Sequence, residues 1–181
     1  MISENLTSEK IMKVLKESYA DNNPKGLQIS GFFEQSCYKQ ALLDVSTASF
    51  KHSEQRDTHS FFKANAPALR FFSSREFIEF ASKISGKRFK KANCELRLFM
   101  NGCYTLLSDF DKPKTEFYFD MTPLWKAKWG GMTTYTADDA GRLAIPPSPN
   151  MLIISEGRSY VKYVNSLAKD EGRLVVYGTL A

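Results

Sequence analysis

Asp109 and Asp111 sit one residue apart in LSDFDKPKTEFY (107–118). Alternate side chains of an extended chain point the same way, so the two carboxylates would face together. A carboxylate pair supplies oxygen ligands to a hard cation such as magnesium or manganese. Lys112 and Lys114 stand in the same stretch, so a solvated acidic turn is the competing reading. The two histidines, His52 and His59, both fall in KHSEQRDTHSFF (51–62). His52-x-Glu54 has the spacing of a metal pair, but no histidine follows His59 to complete it from the second half of the chain. Trp125 and Trp129 are candidates to line a substrate groove, or to pack between strands.

The remaining candidates are weaker. Much of the net charge of +5 comes from GKRFKK, with Lys87, Arg88, Lys90 and Lys91. That run (87–91) is a candidate nucleic-acid or anion patch, or a solvated loop after a helix. Cys37, Cys94 and Cys103 are odd in number and widely spaced, which matches neither a zinc motif nor a disulfide framework. Reduced thiols and a cytoplasmic protein are expected. The polar, acid-bearing start MISENLTSEK does not read as a leader peptide, and no apolar run has membrane-spanning length. Cys103 reads as a small buried apolar residue rather than a reactive one.

The elements that would position these groups divide the chain. Residues 1–93 read as mainly helical. Ile11, Leu15 and Tyr19 recur at helical spacing over 8–20, and LQISGFF (27–33) reads as a short strand. A second helix is expected over Gln35–Val45. Ser73 with Glu76 forms a capping box for a third, which carries Phe77, Phe80, Ala81 and Ile84 and stops at Gly86. From Cys94 the period becomes two, which predicts a half-buried strand, and Asn101-Gly102 predicts a hairpin. TEFYFDM, 131–136, MLIIS, YVKYV and RLVVYGTL follow as strands, so 94–181 should form an antiparallel sandwich or barrel within a single domain.

Two stretches are more specific than strand periodicity: WGGMTTY (129–135), with Trp125 ahead of it, and IPPSPNMLIIS (145–155). A Gly-Gly entering a strand, a polar turn, a Pro–Asn stretch and an apolar strand resemble the core of the iron(II)/2-oxoglutarate-dependent dioxygenases. The prolyl-hydroxylase-like branch is the most similar, over about residues 94–180. The resemblance implies an α+β fold: a double-stranded β-helix, or jelly-roll barrel, with N-terminal helices packed on one sheet.

It also implies a His-x-Asp…His iron triad, and here the chain departs from the pattern. The His-x-Asp position falls on Asp109 and Asp111 or, shifted by one residue, on Ser108 and Phe110, and the distal histidine position falls on Tyr160. No histidine follows His59, so the standard triad cannot form in this half. Arg173 stands where the resemblance puts the arginine that pairs with the far carboxylate of 2-oxoglutarate, although a surface arginine after a Glu-Gly turn is an equal reading.

The expected function is an oxygenase-like barrel that has lost iron-dependent catalysis and acts as a binding or interaction module. It would keep a pocket near Tyr160, Trp125 and Trp129, with a protein or peptide as partner and 2-oxoglutarate as the one cofactor to be considered. The alternatives are an active 2-oxoglutarate-dependent oxygenase with ligands drawn from Asp109, Asp111, His59 and Tyr160, and a nucleic-acid-binding protein using 87–91.

Overall fold

Val176 and Val175, neighbours on the last strand, are both fully buried, because the sheet that holds them is covered on both faces. The computed structural model describes residues 1–22, 25–55, 58–106, 115–137, 141–156, 158–161 and 172–181. The elements run α1 (Glu4–Thr7), α2 (Glu9–Asp21), β1 (Gly26–Ser30), α3 (Gln35–Ser46), β2 (Lys51–Gln55), β3 (His59–Ala64), α4 (Leu69–Phe72) and α5 (Arg75–Ser85). They continue with β4 (Ala92–Phe99), β5 (Tyr104–Thr105), β6 (Thr115–Asp120), β7 (Thr133–Ala137), β8 (Gly141–Ile145), β9 (Met151–Glu156), β10 (Arg158–Val161) and β11 (Arg173–Leu180).

The main sheet has the order β1-β9-β6-β11-β4-β3-β2, with β5 also paired to β3. A smaller sheet has the order β10-β7-β8. All the pairings are antiparallel. One face of the main sheet carries Leu96, Phe117, Phe119, Leu152, Ile154 and Val176 against the helices. The opposite face carries Phe99, Tyr118, Met151, Ile153 and Val175, which pack with Tyr135 and Ile145 of the smaller sheet. The alternation along β6 and β9 therefore sorts side chains between two apolar layers rather than between core and water. This corrects the expectation of a half-buried strand from Cys94: Phe99 is as buried as Leu96.

The helices are held to the outer face by an aromatic cluster. Phe32, Phe33, Phe71, Phe72, Phe77, Phe117 and Phe119 meet mostly in tilted and edge-on pairs with centroids between 4.8 and 6.3 Å, while Phe72 stacks on Phe117 at 5.5 Å. Tilted and edge-on geometries set the positive ring edge against the negative face of the next ring. The α5 stripe of Phe77, Phe80, Ala81 and Ile84 is buried as expected, and Gly86 ends the helix in the left-handed region at φ 71°. The N-cap is Ser74, whose hydroxyl accepts from Phe77 N, not Ser73 as the capping box predicted.

Two further expectations need correction. The barrel is not confined to 94–181: KHSEQRDTHSFF forms β2 and most of β3, which extend the main sheet. Asn101-Gly102 does not join a hairpin. Strand β4 pairs with β3 and β11, and β5 pairs with β3 further along in the same direction, so the turn interrupts the run along β3 without reversing it.

Gly178 is tightly packed in the main sheet. A Cβ there would run into the Phe117 ring and lie 2.7 Å from the Asn93 carbonyl oxygen. Both obstacles are fixed by the sheet and the aromatic cluster. Gly178→Ala is expected to lower stability by roughly 1–3 kcal/mol, the usual cost of overpacking. Urea unfolding should show this as an earlier midpoint with an unchanged slope.

Candidate functional site

The site begins where β11 begins. Arg173 is fully buried, so the reading of it as a surface arginine is overturned. It shares the inner face of the main sheet with Val175, and its cross-strand partner is Phe99. A guanidinium without water must find acceptors inside the chain. It finds them on two segments. Asp120, at the end of β6, places Oδ2 3.0 Å from Arg173 Nε as a hydrogen-bond acceptor. Arg173 Nη2 lies 3.0 Å from the same oxygen, as an ion-pair contact that lacks hydrogen-bond direction. Arg173 Nη1 donates to the Gly131 carbonyl oxygen at 2.6 Å.

The Gly-Gly of the sequence motif supplies that last acceptor. Gly130 and Gly131 both have positive φ, at 70° and 66°. Two consecutive left-handed residues cost little for glycine and much for a residue with a Cβ. The bend offers the Gly130 carbonyl to Trp125 Nε1 at 2.9 Å and the Gly131 carbonyl to Arg173. Thus the motif works by aiming two carbonyls.

Asp120 is also fully buried, and its second oxygen, Oδ1, accepts from Thr122 N at 3.0 Å. Burial pushes its carboxyl pKa up, against the opposite pull of the Arg173 guanidinium and the Thr122 donors. Thr122 also closes the β6–β11 ladder: its hydroxyl accepts from Leu174 N at 3.0 Å. Sequence reasoning read TEFYFDM only as a strand and missed Asp120. The available signal was an acid at the apolar end of that run, FYFDM, on the same face as Tyr118, because such a charge needs a buried partner.

The other candidates fall as follows. Trp129 is buried, Trp125 is half-buried, and their rings meet edge-on at 5.2 Å. Tyr160 lies on β10 in register with Thr134 of β7. Asp109 and Asp111 lie outside the described residues. His59 stands on β3 opposite Thr105, with Nε2 3.1 Å from Ser53 Oγ and Nδ1 3.1 Å from Thr58 Oγ1. Both of its ring nitrogens therefore have hydroxyl partners. Burial, and then the charge of Arg97, lower its pKa. Cys103 is buried, and burial raises its thiol pKa, as suits a packing role. In the basic run, Lys87 pairs with Glu156 at 2.8 Å, and the backbone N–H groups of Lys90 and Lys91 donate to the Ala181 carbonyl.

Two inner-face features accompany the pair. Arg97 lies 3.7 Å from the Tyr177 ring centroid and 4.5 Å from that of Phe61, and it also meets Glu95 at 2.6 Å. A cavity of about 280 Å³ lies between β1, β9 and the smaller sheet, lined in part by Gln28, Tyr135, Ile145 and Ile153.

No family model matches the sequence. Over 82 residues the chain is 32% identical to prolyl 3-hydroxylase OGFOD1 of Xenopus laevis, a match covering 39% of this chain and 16% of that protein. The chain thus spans a small part of the curated relative it matches. Among solved structures, it superposes on a Pseudomonas putida prolyl-4-hydroxylase with a TM-score of 0.72 at 11% identity, covering 93% of this chain and 97% of that one. It superposes on a prolyl hydroxylase from Trichoplax adhaerens, solved with a hypoxia inducible factor peptide, with a TM-score of 0.75 at 13% identity, covering 95% and 90%. A 2OG-Fe(II) oxygenase-family oxidoreductase from Burkholderia pseudomallei gives 0.73 at 9% identity, covering 96% and 92%.

These likenesses establish the fold. It is the double-stranded β-helix of the 2-oxoglutarate oxygenases, prolyl-hydroxylase-like, with helices on one sheet. In that frame β4, β11, β6 and β9 form the central part of the main sheet, and β10, β7 and β8 face them. The resemblance read from WGG and the Pro–Asn stretch therefore holds, together with the missing histidines.

The residues at hand are a poor fit to the cofactors of that fold. Among the described residues, no three His, Cys, Asp or Glu side chains gather as a metal set. At Arg173, a free carboxylate would have to share the guanidinium with Asp120. No helix among the described residues is long and apolar enough to cross a membrane.

Proposed function

We propose that this chain is a binding or interaction module built on the 2-oxoglutarate oxygenase fold, without iron-dependent turnover. One observation carries the reading: β4 to β11 contain no histidine, and the two histidines of the main sheet, His52 on β2 and His59 on β3, lie on opposite faces and hydrogen-bond to hydroxyls. Iron(II) in non-haem oxygenases is held by two imidazoles and a carboxylate on one face, with the opposite face open. Carboxylates alone form a harder site, suited to magnesium or manganese. Tyr118, Tyr135 and Val175 belong to one apolar cluster on the inner face, beside the cavity that Tyr135 helps to line, so the barrel serves as a support for a surface that meets a protein or peptide.

The test is anaerobic thermal unfolding of the purified chain with iron(II) or manganese(II), with and without 2-oxoglutarate, followed by an aerobic assay for succinate. Ligands that bind only the folded state raise the melting temperature. No metal-dependent shift and no succinate are the expected results. A metal shift enlarged by 2-oxoglutarate, lost in Asp109→Ala and Asp111→Ala and accompanied by succinate, would establish an active oxygenase with unusual ligands instead. Salt-sensitive binding of an oligonucleotide that disappears when 87–91 is neutralised would transfer the function to the basic run.

A further inference from the structure

We propose that Arg173 is a self-filled carboxylate site. Asp120 supplies from within the chain the carboxylate that Arg173 would otherwise take from a ligand, and this closes the barrel to free dicarboxylates. The inference goes beyond the loss of turnover and does not rest on it, since a chain with or without iron chemistry could carry a filled or an open arginine.

The charge balance comes first. Arg173 and Asp120 are both fully buried, and they meet at 3.0 Å through Nε and Nη2. One positive and one negative charge cancel. A second carboxylate entering the same water-free space would leave a net negative charge there, and an unpaired buried charge is the most unfavourable state available to such a site.

Displacing Asp120 is no easier. Its Oδ1 holds Thr122 N, and its backbone pairs in register with Val175 on one side and Met151 on the other. Swinging the side chain away would strand the Thr122 N–H as well as the carboxylate.

The donor inventory describes what Asp120 blocks. A guanidinium has five N–H groups in a fixed fork, and its Nε/Nη2 edge suits a carboxylate held by two parallel bonds. Here Asp120 uses one oxygen for that edge and spends the other on Thr122, so Arg173 Nη2 has no directed acceptor. The edge is occupied, yet not in the arrangement a free carboxylate would choose. Shortening residue 120 would vacate the space of a carboxylate beside an arginine that Gly131 still holds through Nη1.

The experiment compares wild type, Asp120→Ala and the double variant Asp120→Ala/Arg173→Met. Thermal unfolding is followed against formate, acetate, 2-oxoglutarate and chloride at constant ionic strength. Formate or acetate is expected to give Asp120→Ala a saturable rise of roughly 2–4 °C. Chloride should not reproduce it, the double variant should not respond, and the wild type should respond to none of the four. A purely structural ion pair would give no carboxylate-specific rescue in any variant, so a folded Asp120→Ala that ignores formate and acetate overturns the proposal.

The wild type provides the second route where Asp120→Ala does not fold. Saturable stabilisation of wild type by 2-oxoglutarate, lost in Arg173→Met, would show that the site is open with Asp120 in place. That result without succinate release overturns this inference and leaves the module reading intact. With succinate release it overturns both.

Discussion

Arg173→Met is expected to destabilise the chain by roughly 3–5 kcal/mol, the usual cost of removing one partner of a buried ion pair. The loss comes mainly from what stays behind. Asp120 would remain fully buried without a counter-charge, and the Gly131 carbonyl would lose its donor. The double variant Arg173→Met/Asp120→Leu removes both charges and fills the space with apolar atoms. It should recover most of the loss, because a buried pair is often no more stabilising than well-packed hydrophobic groups of similar size. The upward push of burial on the Asp120 carboxyl, which prevails over the pull of Arg173, fits that view. Urea unfolding of the wild type, the two single variants and the double variant closes a thermodynamic cycle. A double variant as unstable as Arg173→Met alone would mean that the pair stabilises the barrel through more than charge compensation.

Much of the barrel was legible because its strands carry their own signals. TEFYFDM, MLIIS and RLVVYGTL are short apolar runs bounded by turns, and they became β6, β9 and β11. The Gly-Gly of WGGMTTY was legible as a strand entry, since two adjacent glycines announce a backbone that other residues cannot adopt. Strand β2 was not legible. Its side chains are mostly exposed, so the pattern from Lys51 to Gln55 contains no buried face to betray the period. It is defined by pairing with β3, which is a property of the sheet. Ser73 and Ser74 differ by one position and by nothing in residue type, so only the backbone could decide which of them caps α5.

The candidate site was half legible. Arg173 was placed correctly at the start of the last strand, but its burial and its partner could not be read. Asp120 lies 53 residues earlier, and nothing local to either residue reports the other. What joins them is the pairing of β6 with β11, which brings Asp120 opposite Val175 and so beside the start of the strand. A charged residue on the inner face of a strand is therefore a question about the neighbouring strand.

Asn150 was read only as the last letter of a Pro–Asn stretch, and it should prove one of the most sensitive residues in the chain. It has φ 54° and is buried. Its Oδ1 accepts from Phe33 N at 2.9 Å, its Nδ2 donates to Phe33 O at 2.8 Å, and its own carbonyl accepts from Phe32 N at 3.1 Å. One side chain thus pairs both main-chain groups of Phe33 and fixes the two phenylalanines that enter the aromatic cluster. Asn150→Ala leaves a buried donor and a buried acceptor unpaired, at about 1–3 kcal/mol each. It also puts a Cβ without a compensating amide in the left-handed region, which costs about 1–2 kcal/mol more. The expected loss is roughly 3–5 kcal/mol by urea unfolding, since the separate costs are not fully additive. Asn150→Gly removes the backbone part and should be about 1 kcal/mol more stable than Asn150→Ala. Asn150→Asp keeps an acceptor for Phe33 N but offers no donor to Phe33 O, so it should fall between wild type and Asn150→Ala at neutral pH. If all three variants unfold together with the wild type, Asn150 does not anchor Phe32 and Phe33, and the cluster is held by ring packing alone.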